Sequence, residues 1–213
     1  MVASQSSPTA SSRTVAAYLA LLQLSRERGY VVTRVKVAKL LYLADLAAVR
    51  GGDEPISGVE WKWLDHGPFN NILQHLENNL VDSNIVQREP YYAGYQVRLI
   101  GDLPGYQMAP EDLIFLERAV AEYGSLAATS LKDLSYQTPP MIDAQKRGKG
   151  VVLDLSLARP RPKLVKLASK MTAVLSRLPE QDTDYDVFDE IEREMDDLAE
   201  MRRKASSAVL HDE

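Results

Sequence analysis

Residues equipped for chemistry are few in this chain. It holds no cysteine and only three histidines, His66, His75 and His211, among 213 residues. Disulfides, thiol nucleophiles and thiolate zinc sites are therefore excluded. Asp65 and His66 are neighbours that an acid–base mechanism would use. Adjacent residues seldom aim at one substrate, however, and no nucleophile accompanies them. They read as a turn with a capping Asp. His75 falls on the polar side of a helical pattern, and His211 lies near the C-terminus. No spacing of His and carboxylates suits a metal, so neither metal nor cofactor is expected. The loop Arg147-Gly148-Lys149-Gly150 has the composition of a phosphate contact, but a basic glycine loop is more often a solvated turn. Trp61 and Trp63 alternate along an extended stretch, which marks a core face rather than a base-stacking platform. The residue count points away from an enzyme and towards a binding module.

The elements that would position these residues start with the stretch Arg34–Arg50, RVKVAKLLYLADLAAVR. Thr33 is a helix-capping residue before it, and Gly51-Gly52 stops it. Val37, Leu41, Ala44 and Ala48 form one apolar row; Leu40, Leu43 and Ala47 form another. Apolar residues on most sides predict a central, buried helix. Its charged exceptions are Arg34, Lys36, Lys39 and Asp45, the first three grouped at the N-terminal end as a face for solvent or a partner. A helix over Thr14–Arg28 precedes it across the short link YVVT, a pairing that also suits half of a winged helix-turn-helix.

Downstream, Gly58–Leu64 alternates as a half-buried strand, with Val59, Trp61 and Trp63 on one side. Pro68 suits the first turn of a following helix carrying Phe69, Ile72, Leu73, Leu76 and Leu80. Ile85–Arg88 and Tyr95–Ile100 predict a hairpin. Pro110-Glu111-Asp112 opens a helix that Gly124 closes. Shorter helices follow, from Thr129 or Ser130 and from Thr138-Pro139-Pro140, and Val151–Leu155 reads as a last strand. The expected fold class is α+β, mainly α: a helical domain with a small antiparallel sheet or hairpin, plus a C-terminal helical extension.

The chain divides into a Ser-rich, disordered lead-in (1–13), a domain (14–158) and an extension (159–213) set off by Arg159-Pro160-Arg161-Pro162. The net charge of −5 is uneven: Glu180–Glu200 holds 11 acidic residues and one basic residue, a net of −10, so the remainder is +5. Beneath those charges, Phe188, Ile191, Met195, Leu198 and Met201 keep helical spacing. No apolar run reaches the roughly 20 residues of a membrane span. A cytoplasmic protein is expected.

Three motifs resemble the Panacea, or SocA-like, domain. Lys39-Leu40-Leu41-Tyr42-Leu43-Ala44-Asp45 is similar to its KLLYLAD helix. Trp63 with Gly67-Pro68 is similar to its aromatic-x-x-x-Gly-Pro element, and Leu134-Ser135-Tyr136 with Pro139-Pro140 to its late Leu-Ser-His motif. Tyr136 here replaces the usual His, and Met141 an aromatic. The resemblance, over about Val15 to Leu155, implies an antitoxin that neutralises a cognate protein toxin by direct binding, or an adaptor delivering that toxin to a protease. A winged-helix-like DNA-binding regulator remains the alternative from the residues themselves. Candidate partner-binding residues are Arg34, Lys36, Lys39, Asp65, His66, Phe188, Ile191, Met195 and Leu198.

Overall fold

A computed structural model describes residues 10–92, 94–101, 103, 108–160 and 162–176. The chain forms two compact units, residues 1–160 and 161–213. The first is mainly helical, with two small antiparallel sheets of two strands each among the described residues. The α+β, mainly helical expectation therefore holds.

Its centre is α2 (Arg34–Gly51). Thr33 caps it, its hydroxyl accepting from the Lys36 amide at 3.4 Å, and Gly52 ends it at φ +100°, a left-handed conformation that glycine adopts without penalty. Val37, Leu40, Leu41, Ala44 and Ala48 of the two apolar rows are buried, Leu43 and Ala47 are half-buried, and Tyr42 and Leu46, which lie outside the rows, are wholly buried. Only Arg50 and Gly51, at the C-terminal end, are exposed. The helix packs against α1 (Ser12–Glu27), α4 (Pro110–Tyr123) and α5 (Ala128–Tyr136). Such a helix has no free face to lay in a DNA groove, so the α1–α2 pair is not the exposed half of a winged helix-turn-helix. The helical start at Ser12, capped by Ser11, also takes two residues from the expected disordered lead-in.

Other boundaries move for identifiable reasons. The strand expected over Gly58–Leu64 shortens to β1 (Lys62–Leu64), which pairs with β2 (Gly67–Phe69). Pro68 therefore sits in a strand, opposite Trp63, and not in a helix. Helix α3 (Asn71–Asp82) begins later, where Asn70 accepts from the Ile72 amide at 2.9 Å. The last strand is reduced to a bridge from Lys62 to Val152, after which Leu155–Ala158 turns as a 3-10 helix. The hairpin is longer than expected: β3 (Val86–Tyr91) and β4 (Gly94–Leu99) pair through Tyr91 and Gly94. Helix α6 (Pro139–Arg147) starts at the expected prolines.

Two buried carboxylates tie these elements together. Asp45 is wholly buried and accepts from the Ser57 amide (2.8 Å), the Ser57 hydroxyl (2.5 Å) and Trp61 Nε1 (2.7 Å). It is thus an anchor for the segment before β1. Glu77 of α3 is equally buried and receives Arg34 (2.8 and 3.1 Å), Arg88 (2.7 Å), Tyr18 (3.2 Å) and Tyr95 (3.2 Å). It joins α1, α2, α3 and the β3–β4 hairpin at one point.

The second unit, described by itself, opens with α7 (Pro162–Leu175). The acidic segment, with Phe188, Ile191, Met195 and Leu198, lies outside the described residues.

Candidate functional site

The three stretches that carry the Panacea resemblance lie far apart in the chain, and the fold brings them to one glycine. Gly67 opens β2 at φ +90°, a conformation that side-chain-bearing residues rarely adopt. A Cβ at this position would meet the Tyr136 ring at 3.1 Å, Lys39 Nζ at 3.2 Å and Ser135 Oγ at 3.2 Å. Backbone thus comes close to side chains from α2 and α5 at a point where only glycine leaves room.

Lys39 supplies the inner wall. Its side chain runs from α2 to the β1–β2 strand pair, and Nζ donates to the Pro68 carbonyl at 2.8 Å. The residue is 1% exposed. Burial, with a smaller contribution from the positive charge of Lys132, pushes its amine down to about 7. A lysine this enclosed stays charged only at a cost in solvation.

Tyr136 supplies the outer wall. Its hydroxyl accepts from Trp63 Nε1 at 3.1 Å, and the two rings meet edge to face at 6.3 Å. The Lys132 ammonium lies 5.8 Å from the Tyr136 ring centroid. Below it, Thr138 donates to the Ser135 carbonyl at 2.6 Å and shares a 2.7 Å hydrogen bond with Tyr42 of α2. Because the Thr138 proton is committed to the carbonyl, the Tyr42 hydroxyl is the donor in that second bond. These contacts fix α5 and the start of α6 against α2. Gln137, Asp133, Lys132 and Tyr136 line a shallow hollow of about 440 Å³ on the surface beside them.

The β1–β2 turn projects outward from this junction. Asp65 and His66 are both exposed. Asp65 caps no helix; it accepts from Lys149 Nζ at 2.9 Å, and that hydrogen bond holds its carboxyl below the usual range. Lys149 and Asp65 thus form an exposed ion pair, with 61% and 81% of their side chains accessible. The rim of the site is therefore Asp65, His66, Lys132, Asp133, Gln137 and Lys149, a mixed-charge surface around an aromatic ring.

The basic group at the start of α2 is not the surface its clustering suggests. Arg34 is bound to Glu77, and its guanidinium stacks over the Tyr95 ring at 5.4 Å. Lys36 is 8% exposed and faces the Tyr30 ring at 6.0 Å. Lys39 faces inward to Pro68. Of the candidate residues, the fold brings together Lys39, Asp65 and His66; Arg34 and Lys36 serve other contacts. Lys132 joins the site without any local signal, and Lys149 stands out in sequence only as part of a basic glycine loop, because only tertiary packing places α5 and the loop after α6 beside β1.

Among the described residues, no group of three His, Asp or Glu side chains is arranged to hold a metal ion. No helix among them is long and apolar enough to cross a membrane. The arrangement offers hydrogen-bonding and charged groups around an aromatic ring.

No curated protein and no solved structure matches the chain. Residues 37–140 match the family model described as antitoxin SocA-like, Panacea domain, a span that includes Lys39, Gly67-Pro68 and Tyr136. Over those 104 of its 213 residues the chain is similar to the antitoxin SocA-like, Panacea domain.

Proposed function

We propose that this protein is the antitoxin of a toxin–antitoxin pair and neutralises its toxin by direct binding, as a recognition module rather than an enzyme. The observation that carries the reading is the meeting of three separated family motifs at Gly67, beneath an exposed rim of charged residues. Buried Lys39 and Tyr42 hold the frame, and Tyr136, Lys132, Lys149, Asp65 and His66 face the toxin. A rigid aromatic ringed by polar groups suits an interface, because its contact area is large and little conformational freedom is lost on binding. The replacement of the usual His by Tyr136 fits a surface that recognises and does not transfer protons.

The test is co-expression with the protein encoded by the adjoining reading frame. Relief of its growth arrest, with copurification of the two chains, is expected. Lys132→Glu with Lys149→Glu, at a half-buried and an exposed position, should weaken copurification at least about tenfold, the size of a 1.4 kcal/mol loss. Copurification that fails for the natural chain removes the antitoxin reading; copurification that survives the double substitution moves the interface elsewhere. An unchanged half-life of the toxin in the presence of this protein separates inhibition from delivery to a protease.

A further inference from the structure

Helix α2 is enclosed on nearly every side, yet one strip of it stays open. From Lys36 to Val49 every residue is buried except Leu43 and Ala47, which are half-buried. Exposed Arg50 follows at the next turn. Intervals of four and three put all three on one face of the helix.

Helix α4 faces this strip with a row of the same spacing, Phe115, Ala119 and Glu122, and with Tyr123. Between the rows lies a groove of about 450 Å³. Small-molecule sites fall in the range of about 300–1,000 Å³. Ala47 on one helix and Ala119 on the other leave the space, because neither side chain is long enough to fill it. A Cβ on Gly51 would stand 3.6 Å from the Phe115 ring, so the end of α2 and that ring approach closely.

Two guanidinium groups stand at the groove, Arg50 from α2 and Arg118 from α4. Both residues are exposed, and neither side chain has an ion pair or hydrogen bond among the described residues. By contrast, Arg13, Arg34, Arg88, Arg98, Arg147 and Arg159 each hold a carboxylate. The acid among the lining residues is Glu122, which interacts with the Tyr123 hydroxyl and pairs with neither arginine. Burial, together with this carboxylate, pushes the Tyr123 hydroxyl up, so it keeps its proton. Two guanidinium groups against one carboxylate leave the lining with a net charge of +1.

We propose that the groove between α2 and α4 binds a small organic anion, an apolar body carrying a single oxyanion head group. Arg50 and Arg118 hold the head, since a guanidinium presents paired N–H donors to an oxyanion. Leu43, Ala47, Phe115 and Ala119 take the body. A lining charge of +1 favours one negative charge over a polyphosphate. The groove shares no lining residue with the hollow beside Tyr136, and the inference does not depend on the antitoxin reading.

The probe is anilinonaphthalene sulfonate, an aromatic body with one anionic group, titrated into the full chain and read by its fluorescence. N-phenylnaphthylamine, the same ring system without the charge, is the control. Saturable one-to-one binding is expected, at least about tenfold tighter for the anion than for the control. Arg50→Gln with Arg118→Gln, at exposed positions without a partner, should remove that difference and leave the affinity of the control unchanged. Ala47→Met lengthens a side chain into the groove and should weaken both probes at least about tenfold. Circular dichroism and an unchanged thermal midpoint verify that each variant is folded. Equal binding of anion and control by the natural chain overturns the proposal. So does a difference that survives the double Gln substitution, binding of both probes undiminished in Ala47→Met, or the lack of saturable binding.

Discussion

Lys39 and Asp45, six positions apart on α2, carry opposite electrostatic strain, and each leaves its own mark on stability. Lys39 has a folded-state pKa of about 7 against 10.5 for the free side chain. Between those values the unfolded chain binds more protons than the folded one, so stability rises with pH, by up to about 1.4 kcal/mol per pH unit. Asp45 is pushed up from 3.8 to about 6, chiefly by burial, against the pull of its Ser57 and Trp61 hydrogen bonds. Here the folded chain binds more protons in that interval, so its contribution falls as pH rises from about 4 to about 6. Glu77 is held below 4.5, because the Arg34 and Arg88 hydrogen bonds outweigh the upward push of burial, and its contribution is lost as acid takes the pH below 4.5. The interval from 4.5 to 6 therefore reports on Asp45. Urea midpoints measured across pH should show both limbs. Lys39→Met is expected to flatten the rise between pH 7 and 9.5, and Asp45→Asn the fall between 4.5 and 6. A slope that persists above pH 7 in Lys39→Met would assign it to another group.

At the scale of elements, Glu77 decides where the β3–β4 hairpin sits. The hairpin's Arg88 and Tyr95 meet α1's Tyr18 and α2's Arg34 on one carboxylate. Glu77→Ala leaves two guanidinium groups facing each other. Removing one member of a buried ion pair costs roughly 3–5 kcal/mol. Arg34 and Arg88 keep 23% and 31% side-chain exposure, so water relieves part of that cost and about 3 kcal/mol is expected. Amide exchange should quicken first in β3 and β4, which lose their tie to the helices. Uniform quickening across the unit would show that the carboxylate stabilises the whole core instead. Gly67→Ala belongs to the same scale. It adds a methyl group at φ +90° against Tyr136, Lys39 and Ser135. A loss of about 1–3 kcal/mol, typical of a strained backbone position, is expected in thermal unfolding.

For the whole molecule, the division at Pro160 predicts independent folding. The first unit holds a continuous core built from α1, α2, α3, the hairpin, α4, α5 and α6. Residues 1–160 expressed alone should unfold in one cooperative transition, with a thermal midpoint within a few degrees of the same transition in the full chain. A midpoint lowered by more than about 8 °C corresponds to roughly 2–4 kcal/mol for a domain of this size and would show that the second unit supports the first. The fragment also separates function by unit: copurification with the toxin should persist if the Gly67 rim is the interface.

Local patterns were sufficient for α2, because its cap, its stop glycine and its two apolar rows all act within five turns of chain. The same holds for α4, with Pro110 at its start and Gly124 after its end, and for the existence of the β3–β4 hairpin. The short β1–β2 pair was not legible: Gly67 and Pro68 carry the same local signals whether the chain enters a helix or turns back as a strand. What decides is Lys39 binding the Pro68 carbonyl and Tyr136 closing on Gly67, contacts made across 29 and 69 positions of chain. The charged residues of α2 show the limit most clearly. Spacing marks Arg34, Lys36, Lys39 and Asp45 as breaks in an apolar surface, and a charge in sequence carries no sign of whether water or a partner will solvate it. Glu77, Pro68 and Ser57 supply the partners for Arg34, Lys39 and Asp45, and each lies outside α2. Helical period and capping are local physics, readable along the chain; burial of a charge depends on which distant group arrives to satisfy it, and only the tertiary structure determines that.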